Sequence, residues 1–164
     1  MELTGLFFYF VSVLIAGGIY AVLCLALNIQ WGMGGLFNAG IAGFFAMGAY
    51  SSAIVTAAAT PKHLGGFELP ILFGLFAAAV VAGITGWAVA RICVRLKSDY
   101  LAMASIGIAE ILRLIIVNEA WLTNGSLGIS GIPRPFGELV QGRSADLLYL
   151  AVVWSIVVIV YVIA

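Results

Sequence analysis

Residues 3–61 read LTGLFFYFVSVLIAGGIYAVLCLALNIQWGMGGLFNAGIAGFFAMGAYSSAIVTAAATP, and none of them is Asp, Glu, Lys, Arg or His. One membrane-spanning helix needs about 20 predominantly apolar residues, so a stretch of this length holds two crossings with a turn between them. Of the whole chain, 64% is hydrophobic and 9% is charged, whereas soluble domains carry about 25% charged residues. The sequence therefore predicts an all-α fold, a polytopic bundle of transmembrane helices.

Five hydrophobic blocks follow one another along the chain, and each is a predicted membrane segment. They cover about residues 6–28, 36–59, 69–90, 100–118 and 147–164. We expect them to form a single transmembrane domain, residues 1–164, that is truncated inside the last block because Ala164 still lies in an apolar run. The second block either crosses the membrane fully or re-enters on the same side, and the sequence does not separate these alternatives.

Charge and the rarer residue types exclude several function classes. Seven bases balance seven acids, so no nucleic-acid partner is expected. Cys24, Cys93 and His63 lie far apart and form no cluster with the spacing of metal ligands, so no metal site is predicted. A Gly-x-x-x-x-Gly-Lys phosphate loop does not occur, so ATP chemistry would belong to another chain. No cofactor and no catalytic residue is predicted.

The distribution of Lys and Arg predicts the orientation in the membrane. The connection between blocks three and four carries three bases and one acid, namely Arg91, Arg95, Lys97 and Asp99. Because cytoplasmic connections are enriched in bases, we expect this one in the cytoplasm. The loop at residues 119–146 carries two bases against three acids, so it is expected outside. If every block crosses, the N-terminus is outside as well.

Small residues recur at helical spacing, which lets helix backbones approach closely in lipid. Block three carries one such ridge, formed by Ala78, Ala82, Gly86 and Ala90. Block two is richer still, with Ala39, Gly40, Ala42, Gly43, Ala46, Gly48 and Ala49. We interpret both as helix-packing faces. The alternative is that block two lines a translocation route, where small side chains leave room for a solute.

Glu110 and Arg113 are charged residues inside a predicted membrane segment. At 1.5 Å per residue from Tyr100, Glu110 lies roughly 15 Å into the bilayer, near its midplane. The i,i+3 spacing puts both side chains on one helix face, where they can pair. We predict a buried ion pair that faces the bundle interior and fixes the rotation of the helix. The alternative is a site that contacts or gates the solute, because intramembrane charges often mark transport pathways.

Asn28, Gln30 and Asn38 surround a glycine-rich turn between blocks one and two. Amide side chains at a break in a helix can bond freed backbone groups, or they can bond a zwitterionic solute. Local capping and solute contact are therefore both open. With Gly40 and Gly43, these three residues form the candidate substrate pathway.

Two stretches resemble the permeases of branched-chain amino acid ABC importers. Residues 25–53 read LALNIQWGMGGLFNAGIAGFFAMGAYSSA, and residues 95–135 read RLKSDYLAMASIGIAEILRLIIVNEAWLTNGSLGISGIPRP. The first contains Gly-Leu-Phe-Asn and Phe-Phe-Ala-Met-Gly-Ala-Tyr, and the second contains Ala-Glu-Ile-Leu-Arg and Gly-Ile-Pro. Together they cover 70 of the 164 residues, and their order and spacing are specific.

The resemblance implies a multi-pass permease subunit in the bacterial inner membrane, which translocates branched-chain or other small amino acids. As partners it implies a second permease subunit, two cytoplasmic ATP-binding subunits and a periplasmic solute-binding protein, with membrane lipid around the helices. Glu110 and Arg113 would belong to a family motif. Many relatives differ in carrying a hydroxyl residue and a His near Asn38 and Ile41. They are also nearly twice as long, with the segment that docks the ATP-binding subunit beyond Ala164.

Other functions stay open at this point. Related permeases carry urea or short amides, and a channel or a structural membrane subunit is a further alternative. An intramembrane enzyme would need a nucleophile–base pair or metal ligands within the membrane, and the predicted membrane segments contain no His.

Overall fold

The computed structural model describes residues 2–60, 64–93, 95–133 and 143–163, which form helices, turns and loops and include no strand. In chain order the elements are α1 (Glu2–Asn28), a π-helical turn (Ile29–Met33), α2 (Ile41–Thr56), α3 (Ile71–Cys93), α4 (Ser98–Asn118), α5 (Ala120–Thr123), a 3₁₀ turn (Gly125–Leu127) and α6 (Arg143–Ile163). The predicted all-α fold is confirmed. Within the loop expected outside, residues 134–142 lie beyond the described part of the chain.

Four of the described helices are long and apolar enough to cross a membrane, and α2 is not. The four stretches are Gly5–Met33, Ile71–Cys93, Asp99–Asn118 and Ser144–Ile163. With 16 residues, α2 is about 24 Å long, which is shorter than the hydrocarbon core of about 30 Å. The chain is therefore a multi-pass membrane protein whose second segment is shorter than the predicted block at residues 36–59.

The backbone on either side of α2 explains its short length. Before the helix, Gly35 has a φ of +62°, in the left-handed region that glycine favours. Asn38 Oδ1 then accepts a hydrogen bond of 3.0 Å from the Gly40 N–H, which forms a local turn. After the helix, Ala57 is extended, with φ −64° and ψ 158°. Both flanks are as apolar as the helix, so hydropathy alone places its ends too far out.

Two packing units divide the chain, Met1–Gly35 with Phe136–Ala164, and Leu36–Pro135. In the first unit, α1 packs on α6 at Gly18. A Cβ on this glycine would stand 2.5 Å from Val153 Cγ1, so a larger residue here would require the valine side chain or the helices to shift. The expectation of one transmembrane domain over residues 1–164 stays a prediction.

In the second unit, α2 and α3 run antiparallel and touch through small residues spaced by four on each helix. A Cβ on Gly74 would stand 2.5 Å from Thr56 Cγ2 and 2.8 Å from Ser52 Oγ. A Cβ on Gly48 would stand 3.6 Å from Ala82 Cβ. The interface therefore depends on close backbone approach, as expected for helices in lipid.

The small-residue ridge of α3 begins earlier than the sequence predicts. Ala78 and Ala82 of the predicted ridge do face α2. Gly86 does not, because no neighbouring described helix comes within 4 Å of the place of a Cβ on this residue. Gly74 takes part instead. The physical reason is that α2 is short and its N-terminal turn lies on α4, so the second half of α3 extends past it.

The C-terminal end of α2 is closed by the loop that leads to α3. The Gly66 N–H donates to the Ile54 carbonyl at 2.9 Å, and the Leu69 N–H donates to the Val55 carbonyl at 3.2 Å. A helix leaves the carbonyls of its last turn without partners inside the helix. Here the loop supplies partners, so this end of α2 is bonded to protein.

Candidate functional site

Glu110 and Arg113 form a two-bond ion pair on α4. Arg113 Nη2 lies 2.6 Å from Glu110 Oε1, and Arg113 Nε donates to Glu110 Oε2 at 2.8 Å. This is an edge-to-edge arrangement, in which two N–H···O bonds join the guanidinium to the carboxylate, and it gives strong charge-assisted hydrogen bonds. Both residues lie just past the middle of a membrane-spanning helix.

The ion pair is exposed on the surface of the chain. The side chain of Arg113 is 59% exposed and that of Glu110 is 53% exposed. The sequence predicts burial inside the bundle; the described residues of this chain leave both side chains exposed, and burial in a complete assembly stays a prediction. The reason is the rotation of α4: Ala109 is the residue that faces α2, and Glu110 is turned by about 100° from it.

Two opposite faces of α4 differ in what they touch. On the inner face, Leu101, Ser105 and Ile116 are 8%, 2% and 6% exposed. The outer face is exposed along its length and carries Met103, Ile106, Gly107, Glu110, Arg113 and Leu114. We call these six residues the charged face of α4. The sequence analysis did not identify its apolar members, although their spacing of four or seven from Glu110 places them on the same helix face.

Gly40 and Gly43 lie where the start of α2 meets the inner face of α4. A Cβ on Gly43 would stand 2.9 Å from Ala109 Cα and 3.0 Å from Ala109 Cβ. A Cβ on Gly40 would overlap the carbonyl oxygen of Ser105. The two glycines thus sit in a close helix contact. Their assignment to a substrate pathway stays a prediction.

The predicted amide residues are divided between the two packing units. Asn38 belongs to the second unit, where its side chain bonds the Gly40 N–H and so acts as a local cap. Asn28 and Gln30 belong to the first unit, at the end of α1 and in the π-helical turn, and both are exposed. π-helical turns often occur at functional sites. Solute contact by these amides stays a prediction.

The segment after α4 is an ordered turn centred on a buried threonine. Thr123 is 3% exposed, and its Oγ1 lies 2.5 Å from the Ile116 carbonyl oxygen and 3.0 Å from that of Glu119. The same oxygen accepts a hydrogen bond of 3.2 Å from the Gly125 N–H. This hydroxyl therefore ties the loop to the end of α4.

A family described as branched-chain amino acid transport system / permease component matches residues 9–164. The chain belongs to this permease family. No solved structure matches it.

Two curated relatives are similar to this permease over most of its length. Both are named high-affinity branched-chain amino acid transport system permease protein LivM. The Escherichia coli K12 protein is 39% identical over 121 residues, and the Salmonella typhimurium LT2 protein is 36% identical over 117 residues. Each alignment covers 71% of this chain and 26% of the relative. The permease thus spans about a quarter of the length of these relatives, which exceed the nearly twofold length that the resemblance led us to expect.

Proposed function

We propose that this permease is the membrane-spanning subunit of an ABC importer that moves branched-chain or other small amino acids across the bacterial inner membrane. The family match over residues 9–164 is the observation that carries the proposal. The names of both curated relatives support the substrate class. The four helices of membrane length among the described residues are consistent with a translocation subunit.

We further propose that the permease works with four kinds of partner. These are a second permease subunit, two ATP-binding subunits in the cytoplasm, a solute-binding protein in the periplasm and the surrounding membrane lipid. The sequence has no phosphate-binding loop of the Gly-x-x-x-x-Gly-Lys type, so ATP hydrolysis is assigned to separate chains. The assembly is therefore the unit in which transport has to be measured.

The end of α3 supports a cytoplasmic position for the connection between α3 and α4. Arg91, in the last turn of α3, places its guanidinium 4.8 Å from the centre of the Trp87 ring. A Trp with a cation above it is typical of the membrane–water boundary. Arg95 and Lys97 follow and are exposed, and an excess of bases favours the cytoplasmic side.

Uptake by the reconstituted assembly tests the proposed function. The permease is co-expressed with a candidate second permease subunit and candidate ATP-binding subunits, and is inserted into vesicles with the binding protein outside. We expect accumulation of radiolabelled L-leucine that requires ATP and stops when the Lys of the ATPase phosphate loop is replaced. Accumulation of urea or acetamide without L-leucine would favour an amide permease. Uptake of L-leucine that persists without ATP would overturn the importer and favour a channel.

A further inference from the structure

We infer that the charged face of α4 is a subsite for the zwitterionic backbone of the transported amino acid, with the carboxylate on Arg113 and the ammonium on Glu110. This inference rests on the proposed function and adds the residues that would contact the solute. Ile106 and Leu114, one turn to either side of Glu110, would contact the apolar side chain of the amino acid. Gly107 would leave room for the solute backbone.

The position of the pair requires a polar environment around it. Charged side chains within a bilayer face a protein interior or a water-filled cavity, and the described residues do not cover Glu110 or Arg113. Other charged residues in the described transmembrane helices lie in terminal turns, for example Arg91, Asp99 and Asp146. In the described part of the chain, this pair is therefore the charged surface near the middle of the membrane.

The inner surfaces of the second unit leave less room for a solute. Gly40 and Gly43 meet the backbone of α4, and Gly48 meets α3 at ordinary contact distances. The small residues of α2 are therefore used for helix packing. By contrast, no neighbouring described helix comes within 4 Å of the place of a Cβ on Gly107, on the charged face. Open space and charge coincide there.

The chemistry of the pair fits a zwitterion better than an ion of one sign. Arg has five N–H donors, and the bonds to Glu110 use two of them. The carboxylate oxygens of Glu110 also have acceptor capacity left. A carboxylate can thus bind Arg113 and an ammonium can bind Glu110 while the pair stays intact. Because the pair is neutral overall, an ion of one sign gains less than a zwitterion.

When no solute is present, Glu110 and Arg113 neutralise each other and bond each other. An empty site with an isolated charge would be costly in the membrane. Here the guanidinium and the carboxylate bond each other at 2.6 Å and 2.8 Å. A solute therefore adds bonds to a pair that is already satisfied and relieves no isolated charge, which keeps its binding weak. Weak binding suits a pathway, since a transported solute must leave as well as enter.

Saturation-transfer NMR on the permease assembly in nanodiscs tests the subsite. L-leucine binding is measured without the external binding protein, so that only contacts with the permease contribute. We expect saturable binding to the wild type, and a Kd at least tenfold higher for Glu110→Gln, Arg113→Gln and the double variant. A pair with a purely structural role predicts recovery of binding in the double variant, and that result would overturn the inference.

A second set of variants keeps the test independent of the charges. Gly107→Leu should fold, because the space at its Cβ is open, and should weaken leucine binding at least tenfold by filling the subsite. Gly83→Leu is the matched control, since it also points into open space but lies on α3. Equal Kd values for Gly107→Leu, Gly83→Leu and wild type would refute the subsite.

Ligand analogues separate the two charged contacts. L-leucinamide lacks the carboxylate and 4-methylpentanoate lacks the ammonium, so both should compete at least tenfold less well than L-leucine in the wild type. In Arg113→Gln, the affinities for leucine and leucinamide should become more similar, because the carboxylate contact is lost. In Glu110→Gln, the affinities for leucine and 4-methylpentanoate should become more similar, because the ammonium contact is lost. If the assembly takes up leucine and these preferences do not change, the subsite fails and the proposed function stands. If the wild-type assembly takes up no amino acid, the proposed function itself fails.

Discussion

Replacing Gly43 by Ala tests whether α2 and α4 touch as closely as the structure shows. The new Cβ would stand 2.9 Å from Ala109 Cα and 3.0 Å from Ala109 Cβ, whereas carbon atoms pack best at about 3.5–4.0 Å. The opposing atoms belong to the helix backbone and its first side-chain carbon, so they cannot rotate away. The two helices must therefore move apart by roughly half an ångström to one ångström.

The expected loss follows from two opposing contributions. Forcing a methyl group into a well-packed contact costs about 1–3 kcal/mol. Replacing a helical glycine by alanine returns about 0.5–1 kcal/mol because the unfolded chain loses conformational freedom. Gly83→Ala is the matched control, since Gly83 is helical and its Cβ would enter open space. The propensity gain is common to both variants, so their difference in unfolding free energy should be about 1–3 kcal/mol.

Reversible unfolding in mixed micelles measures this difference. The fraction of folded protein is followed by circular dichroism while the denaturing detergent is increased. We expect Gly43→Ala to unfold at a lower detergent fraction than wild type, and Gly83→Ala to match wild type or exceed it. Equal unfolding free energies for the two variants would show that the contact between α2 and α4 is not formed.

Three further outcomes follow from the packing and the orientation. Gly74→Leu should lower the yield of folded protein at least several-fold, because Gly74 touches α2, while Gly86→Leu should not; equal yields would place both glycines outside the interface. The orientation is tested in a background without the native cysteines. An impermeant thiol reagent should label Ser126→Cys in intact cells, and Lys97→Cys only after the membrane is permeabilised. The reverse labelling pattern would show that the orientation is the opposite one. Thr123→Val should destabilise the loop after α4 by about 1–2 kcal/mol through the loss of buried hydrogen bonds, measured as faster amide hydrogen exchange; unchanged exchange would contradict the role of the hydroxyl.

The membrane helices could be predicted because they follow from where ionisable residues are absent in the sequence. The absence of ionisable residues between positions 3 and 61 is sufficient to predict membrane helices. The i,i+3 spacing of Glu110 and Arg113 likewise places them within reach of each other, since helix geometry is local. Both inferences need only the period of the helix and the solvent that surrounds it.

The rest depends on contacts that hydropathy does not report. The ends of α2 are set by the left-handed conformation of Gly35 and the cap formed by Asn38, in a stretch that is apolar throughout. Because that helix is short, its partner on α3 is the turn at Gly74 and not the one at Gly86. Periodicity also places Glu110 on one face of α4 but does not predict which helix that face contacts. Tertiary packing determines these contacts and the ends of α2.

The short length of α2 has a consequence for how the protein is made. A helix of about 24 Å does not reach across a hydrocarbon core of about 30 Å. We therefore expect that α2 does not insert stably into the bilayer by itself during synthesis. Its last carbonyls find partners in the loop before α3, and its first turn rests on α4. Both of these are synthesised later. Stable insertion of α2 therefore has to wait for the helices that follow it, and nascent chains that stop at residue 60 should leave this segment open to protease.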